Sequence, residues 1–359
     1  MCRQSSGSMI VLFTSILEPR MLYWWLLLFS LAVQANWDQN NSDKAVLGTD
    51  EDTPDQDYFE LIKYAHLSSV AYCAPLGLET GTIGSQGDKC PSPSCSHEHI
   101  KDIDIVTRFN FDNFLDVGNG FIALDPEEDF IYVVVKGTSS STDWINNLDL
   151  VNTEYQPQAI LDPRYDVSGI CCTDCRVHRG FASFIKTNGY EVIKMILEQK
   201  KKYPHREIKI AGHSLGAALG LLIGIELRLL GYEALVVTLG SPKIGNPQFT
   251  KFVDDLFETD NVVQHIEEYK SFETLTSGYI RMIHKHDLIP FLPPTNKYTL
   301  AGYEYYLGIE GLQQTPMTVY RRATDYLEDK KFDYWDTIKN FRRIDHSSYF
   351  LPVTTCVLG

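Results

Sequence analysis

Apolar residues fall into short blocks along this chain, separated by polar stretches. Four runs, residues 131–135, 208–211, 235–239 and 279–283, are brief and mostly apolar, broken only by Lys209, Thr238 and Arg281. That pattern predicts strands buried on both faces. Between them, residues 181–202 place Phe184, Ile185, Val192 and Ile196 on one helical face, and residues 217–230 are apolar almost throughout. Alternating strand and helix predicts the α/β class, a mostly parallel central sheet with helices on both faces. Ahead of the first run, Phe59, Ile62, Ala65 and Val70 recur at roughly helical spacing over residues 58–72, whereas residues 77–99 are rich in Gly, Ser, Pro and Cys and predict a stapled loop. No internal repeat is evident.

The N-terminal end has a different pattern. Residues 22–33 are continuously apolar, shorter than the roughly 17 residues that a bilayer demands, with Arg20 before them and the small residues Val33 and Ala35 after. We expect a secretory signal peptide over residues 1–35 rather than an anchor, with Met9 and Met21 as alternative starts. An acidic, polar, flexible leader is expected over 36–56, and one domain over 57–359, since α/β enzymes often fill such a length without splitting. Asn40-Asn41-Ser42 is the one glycosylation sequon, which makes Asn40 the acceptor.

Composition narrows the class. Hydrophobic residues are 44% of 359, enough for a large core, and the formal charge of −15 repels phosphate backbones, so nucleic acid is excluded as a partner. Cys2 falls in the signal segment, and the seven remaining cysteines fit an oxidising compartment. The expected pairs are Cys90 with Cys95, Cys73 with Cys356, and Cys175 with either Cys171 or Cys172. No strand-helix-strand context precedes Cys172-x-x-Cys175 and no second ligand pair has metal spacing, so a structural staple is expected there.

The chemistry concentrates at Gly212-His213-Ser214-Leu215-Gly216. As a pentapeptide it is weak, but here it ends a predicted strand and opens a predicted helix, the setting in which such an elbow projects a serine hydroxyl. A serine needs a base and the base an orienting acid, in the order Ser, acid, His for this arrangement. The later histidines are His265, His284, His286 and His346. Asp287 follows the last strand run, and with it as the acid only His346 remains as base. Asp260 with His284 or His286 is a rival pairing that would place the histidine in or at the end of a strand. Donors to an oxyanion are expected from the Leu215 amide and from Thr138, in the loop after residues 131–135.

Five ordered motifs now carry a resemblance: Val135-Lys136-Gly137-Thr138-Ser139-Ser140, Val177-His178-Arg179-Gly180-Phe181, the serine elbow, Asp287-Leu288-Ile289-Pro290-Phe291-Leu292-Pro293-Pro294, and Asp345-His346-Ser347-Ser348-Tyr349-Phe350. Over residues 61–356 or so, the chain resembles the class 3, filamentous-fungal type triacylglycerol lipases, and among them a secreted yeast branch. The resemblance implies an α/β-hydrolase fold, a triad of Ser214, Asp287 and His346, oxyanion donors Thr138 and Leu215, and a lid from residue 139 to about 154 that includes Ser140 and Ile145. Within that stretch Trp144, Leu148 and Val151 recur at helical spacing, opposite Asp143, Asn146, Asn147 and Asp149, as in a short amphipathic helix that meets lipid.

Three departures stand out. Ala217 replaces a glycine common in the family, Leu300 replaces a histidine, and residues 311–343 are longer and more charged than the family pattern. The expected activity is hydrolysis of long-chain acylglycerol esters by a secreted enzyme with no metal or organic cofactor and no obligatory protein partner. A feruloyl or short-chain carboxylesterase is the alternative within the class. An inactive homologue that binds lipid or cell wall is the alternative outside it, prompted by the altered approach to His346.

Overall fold

The computed structural model describes residues 51–52, 55–111, 118–138, 151–158, 172–295, 297–322, 337 and 339–356. The expected signal peptide, Asn40, Cys171, most of the expected lid (Ser140, Trp144, Ile145, Leu148) and much of 311–343 lie outside them. Among the described residues no helix is long and apolar enough to cross a membrane.

Strand β1 (Glu51–Asp52) leads to helix α1 (Asp55–Ala71), and after the stapled loop come β2 (Gly81–Thr82), β3 (Asp104–Phe109), β4 (Gly120–Leu124) and β5 (Phe130–Val135). A small ribbon, β6 (Asn152–Glu154) with β7 (Arg176–His178), precedes helix α2 (Arg179–Lys202), strand β8 (Glu207–His213), helix α3 (Leu215–Leu229) and strand β9 (Ala234–Leu239). Helices α4 (Pro247–Leu256) and α5 (Thr259–Tyr269) follow, then β10 (Gly278–His284), β11 (Tyr303–Leu307) and β12 (Val319–Arg322). The chain closes on a short helix α6 (Arg343–His346) and the hairpin β13 (Ser348–Tyr349) and β14 (Leu351–Pro352).

Ten strands form one sheet in the order β1-β12-β11-β10-β9-β8-β5-β4-β3-β2. The five from β5 to β11 run parallel, and the wings on either side are antiparallel. The four apolar runs seen in the sequence are β5, β8, β9 and β10, the centre of this sheet. Their side chains divide by the two-residue period of a strand. Ile131, Val133 and Val135 join the core under α2, α3 and α4, with Val192, Ile196, Leu222 and Phe249. Tyr132 and Val134 join the opposite core under α1 and α5, with Leu61, Val70 and Ile266. A helix apolar on every side must be buried on every side. Accordingly α3 exposes almost nothing, and its Glu226 accepts hydrogen bonds from the Tyr155 hydroxyl at 3.1 Å and the Gln158 amide at 2.9 Å.

Two boundaries differ from expectation. The segment read as a flexible leader ends in β1, which pairs with Tyr320 and Arg321, and α1 begins at Asp55. Backbone pairing of this kind leaves no trace in apolar periodicity. The end of the expected helical lid is strand β6, and Val151 just before it is exposed and outside any helix. Pairing of Asn152, Thr153 and Glu154 with β7 overrides the helical spacing there.

Candidate active site

Ser214 sits between β8 and α3 with φ 58° and ψ −127°, a strained conformation for a residue with a side chain. Its amide donates to the Leu239 carbonyl at 2.9 Å, which holds the bend against the neighbouring strand. The two flanking elements pass β5 so closely that a Cβ on Gly216 would overlap the Val135 carbonyl oxygen. The elbow therefore sets Ser214 at the carboxyl end of β8, between that strand and the N-terminus of α3.

Asp287 lies three residues past β10 and is fully buried. Its two oxygens lie 3.0 and 2.9 Å from His346 Nδ1; one also accepts from the Ile289 amide at 2.9 Å and the other from the Tyr349 hydroxyl at 2.6 Å. Burial pushes this carboxyl up, but the adjacent His346 and the hydrogen bonds from His346, Tyr349 and Ile289 outweigh it and hold the group below its usual 3.8. An ionised carboxylate only accepts, so Nδ1 carries the imidazole proton and Nε2 is left as the acceptor. That Nε2 lies 2.7 Å from Ser214 Oγ, in position to take its proton.

Thr138 is buried in the loop after β5, and Leu215 is the first residue of α3. The loop presses on the elbow: a Cβ on Gly137 would stand 3.2 Å from that of Ser214 and collide with the His213 carbonyl at 2.6 Å. Both expected donors thus flank the serine, one on the helix N-terminus and one on the adjoining strand end. A first-turn amide there also carries the positive end of the helix dipole.

The structure joins Ser214, Asp287 and His346 into one chain of hydrogen bonds and leaves the rival grouping apart. Asp260 is exposed in the first turn of α5, His284 Nδ1 bonds to the Asp345 main-chain carbonyl, and His286 faces Glu310 at 3.3 Å. Sequence reasoning missed four residues. Tyr349 holds Asp287; His213, Tyr72 and His284 lie behind the triad. Tyr349 stood inside a quoted motif three places after His346, so a signal was available. His213 occupied a variable place in the elbow, and only the folded arrangement gives it a partner. Burial, then the neighbouring His346, takes the His213 imidazole down to about 3, so it stays neutral.

The cysteines pair as Cys73–Cys356, Cys90–Cys95 and Cys172–Cys175, which settles the open choice for Cys175. Among the described residues one cluster offers three metal-ligating side chains, Cys73, Cys90 and Cys95, and all three are in disulfides. Of the departures, Ala217 is buried in α3, Leu300 packs with Ile283, Phe291 and Tyr306, and residues 319–322 of the long segment are strand β12.

Comparison with known proteins gives the family and the fold. The family model for class 3 lipases matches residues 132–297. LIH1 of Saccharomyces cerevisiae, which carries a provisional lipase name, is 30% identical over 249 residues, 67% of this chain and 75% of that protein. Secreted mono- and diacylglycerol lipase 2 of Gibberella zeae is 28% identical over 257 residues, 65% of this chain and 58% of that protein. The crystal structure of Lip2 lipase from Yarrowia lipolytica superimposes with a TM-score of 0.69 at 25% identity, covering 86% of this chain and 98% of that one. Kinship extending over most of the chain, joined to a common fold, fixes the membership: this chain belongs to the class 3 lipases, carboxylic ester hydrolases of the α/β-hydrolase fold.

Proposed function

We propose that the protein is a secreted triacylglycerol lipase that cleaves long-chain acylglycerol esters through an acyl-enzyme. The observation that carries the reading is the unbroken path Ser214 Oγ, His346 Nε2, His346 Nδ1, Asp287, at 2.7 Å and 2.9 Å. Ser214 attacks the ester carbonyl while His346 takes its proton. Asp287 fixes the tautomer and stabilises the imidazolium that forms. The amides of Thr138 and Leu215 receive the oxyanion of the tetrahedral intermediate. His346 then returns the proton to the departing glycerol oxygen, and water repeats the sequence on the acyl group. Support for an acylglycerol substrate and for secretion comes from the named activity of the Gibberella zeae relative and from three disulfides, which persist in oxidising compartments. Transient contact with a lipid surface through the lid expected from residue 139 to about 154 belongs to the same reading.

The test is a substrate panel with a phosphonate label. Wild type should hydrolyse emulsified long-chain triacylglycerol faster than soluble short esters and take up one phosphonate. Ser214→Ala should do neither. Equal rates on short or feruloyl esters with no gain from emulsion would favour the esterase, and an unlabelled, inactive wild type would favour the binding homologue.

A further inference from the structure

The residue proposed as the base stands at the end of a helix only four residues long, α6. The last carbonyls of a helix have no partner further along it and, when buried, must find donors elsewhere. Asp345 and His346 are both buried, and the carbonyls of these consecutive residues each face a buried histidine. His213 Nε2 lies 2.8 Å from the His346 carbonyl, and His284 Nδ1 lies 2.8 Å from the Asp345 carbonyl. These histidines are the last residues of β8 and β10, the two strands that also deliver Ser214 and Asp287.

The proton positions follow from the partners. A carbonyl oxygen only accepts, so His213 carries its hydrogen on Nε2, and its Nδ1 accepts from the Tyr72 hydroxyl at 2.7 Å. His284 carries its hydrogen on Nδ1 and accepts at Nε2 from the Gln314 amide at 3.2 Å. The Ile309 carbonyl, 2.9 Å from that nitrogen, takes its own hydrogen from Gln314 at 2.6 Å. On the solvent side Arg342 grips the Asp345 carboxylate with two bonds, at 3.2 and 3.1 Å.

We propose that His213 and His284 form a clamp, each donating one hydrogen bond to the backbone of the base segment, so that the rigid sheet holds His346 in reach of both Ser214 and Asp287. They are positioning residues, and the inference rests on His346 being the base of the proposed reaction. It gives the long charged stretch before His346 an anchor at its far end. It also gives the histidine of the Gly-His-Ser-Leu-Gly elbow a task apart from the nucleophile beside it.

The test uses a water-soluble short-chain ester, so that binding to lipid does not enter. His213→Leu and His284→Leu remove the donors. Each should lower kcat by about 10- to 100-fold with KM within about twofold, the size expected when a reacting group is displaced by about an ångström. His213→Gln and His284→Asn restore a donor at the Nε2 and Nδ1 reach respectively, and should recover kcat to within about fivefold of wild type. Tyr72→Phe, which keeps the ring, should lower kcat about threefold and leave KM alone. Loss that the amide variants fail to recover, or that resides in KM, would assign the histidines a space-filling role and overturn the clamp, as would wild-type kcat in the Leu variants. Where a Leu variant does not fold, the amide variants and Tyr72→Phe decide by the same criteria. Ser214→Ala run alongside separates the two ideas: if it is inactive while the clamp variants are unaffected, only the clamp falls; if it is active, the triad falls as well.

Discussion

Asp287 holds a charge where water does not reach, and its value lies in what it does to one imidazole. Replacing it by Asn keeps the shape but allows the wrong tautomer, with the Nε2 proton turned toward Ser214. We expect Asp287→Asn to lower kcat by roughly 10⁴-fold while the protein stays folded, measured on a soluble ester. The carboxyl also couples stability to acid. Its folded pKa is depressed, so its contribution is complete above the unfolded value of 3.8 and is lost as pH falls through the lower, folded one. Urea midpoints followed downward from about pH 5 should therefore decline less steeply in Asp287→Asn than in wild type below about pH 4. Ser214, Asp287 and His346 were legible in the sequence because acyl transfer restricts residue type and order. His213 was not, because its role lies in hydrogen bonds to residues far along the chain, and Tyr349 was marked only by its place in the motif around His346.

Between elements, the strongest commitment joins β10 to β11. Arg281 and Glu304 are register partners whose side chains are 2% and 0% exposed and meet at 3.1 Å. Removing one charge strands the other in a medium that cannot solvate it, so Glu304→Ala should cost about 3–5 kcal/mol in urea unfolding. Arg281→Met with Glu304→Leu should recover most of that, since two apolar residues of similar volume need no partner. A second coupling lies in α1. Burial, reinforced by Glu128 and Glu273 against the opposing Lys63, raises the Glu60 carboxyl to about 7. A raised acid binds its proton more tightly in the folded state, so the stability it contributes is present below its unfolded value of 4.5 and is lost as pH climbs to about 7. Glu60→Gln should flatten that decline and be the more stable protein at pH 8, by on the order of 2 kcal/mol, read from urea midpoints at pH 5 and 8. The central strands were legible for a simple reason: buried on both faces, they are written mostly in apolar residues, with Lys209, Thr238 and Arg281 as the exceptions within the four runs. The outer strands mix polar and apolar positions. Strand β11 carries a glutamate whose partner belongs to another strand, so no local pattern betrayed it.

At the scale of the whole molecule, Cys73–Cys356 closes a separation of 283 residues, tying the end of α1 to the tail beyond β14. Chain entropy for so large a loop puts its contribution at about 5–6 kcal/mol. The paired substitution Cys73→Ser with Cys356→Ser should lower the urea midpoint accordingly, and a midpoint within error of wild type would show that packing alone holds the two ends. The α/β architecture followed from the alternation of apolar blocks, but the antiparallel wings and the ribbon before α2 depend on pairings between distant segments.

Both outermost strands of the large sheet, β1 and β2, are only two residues long. A sheet presents its unpaired amides and carbonyls along its rims, where another polypeptide can add itself and begin an aggregate. Here each rim is capped by a stub too short to template a further strand. Among the described residues, the outermost strand that a neighbouring copy would meet on either side is two residues long.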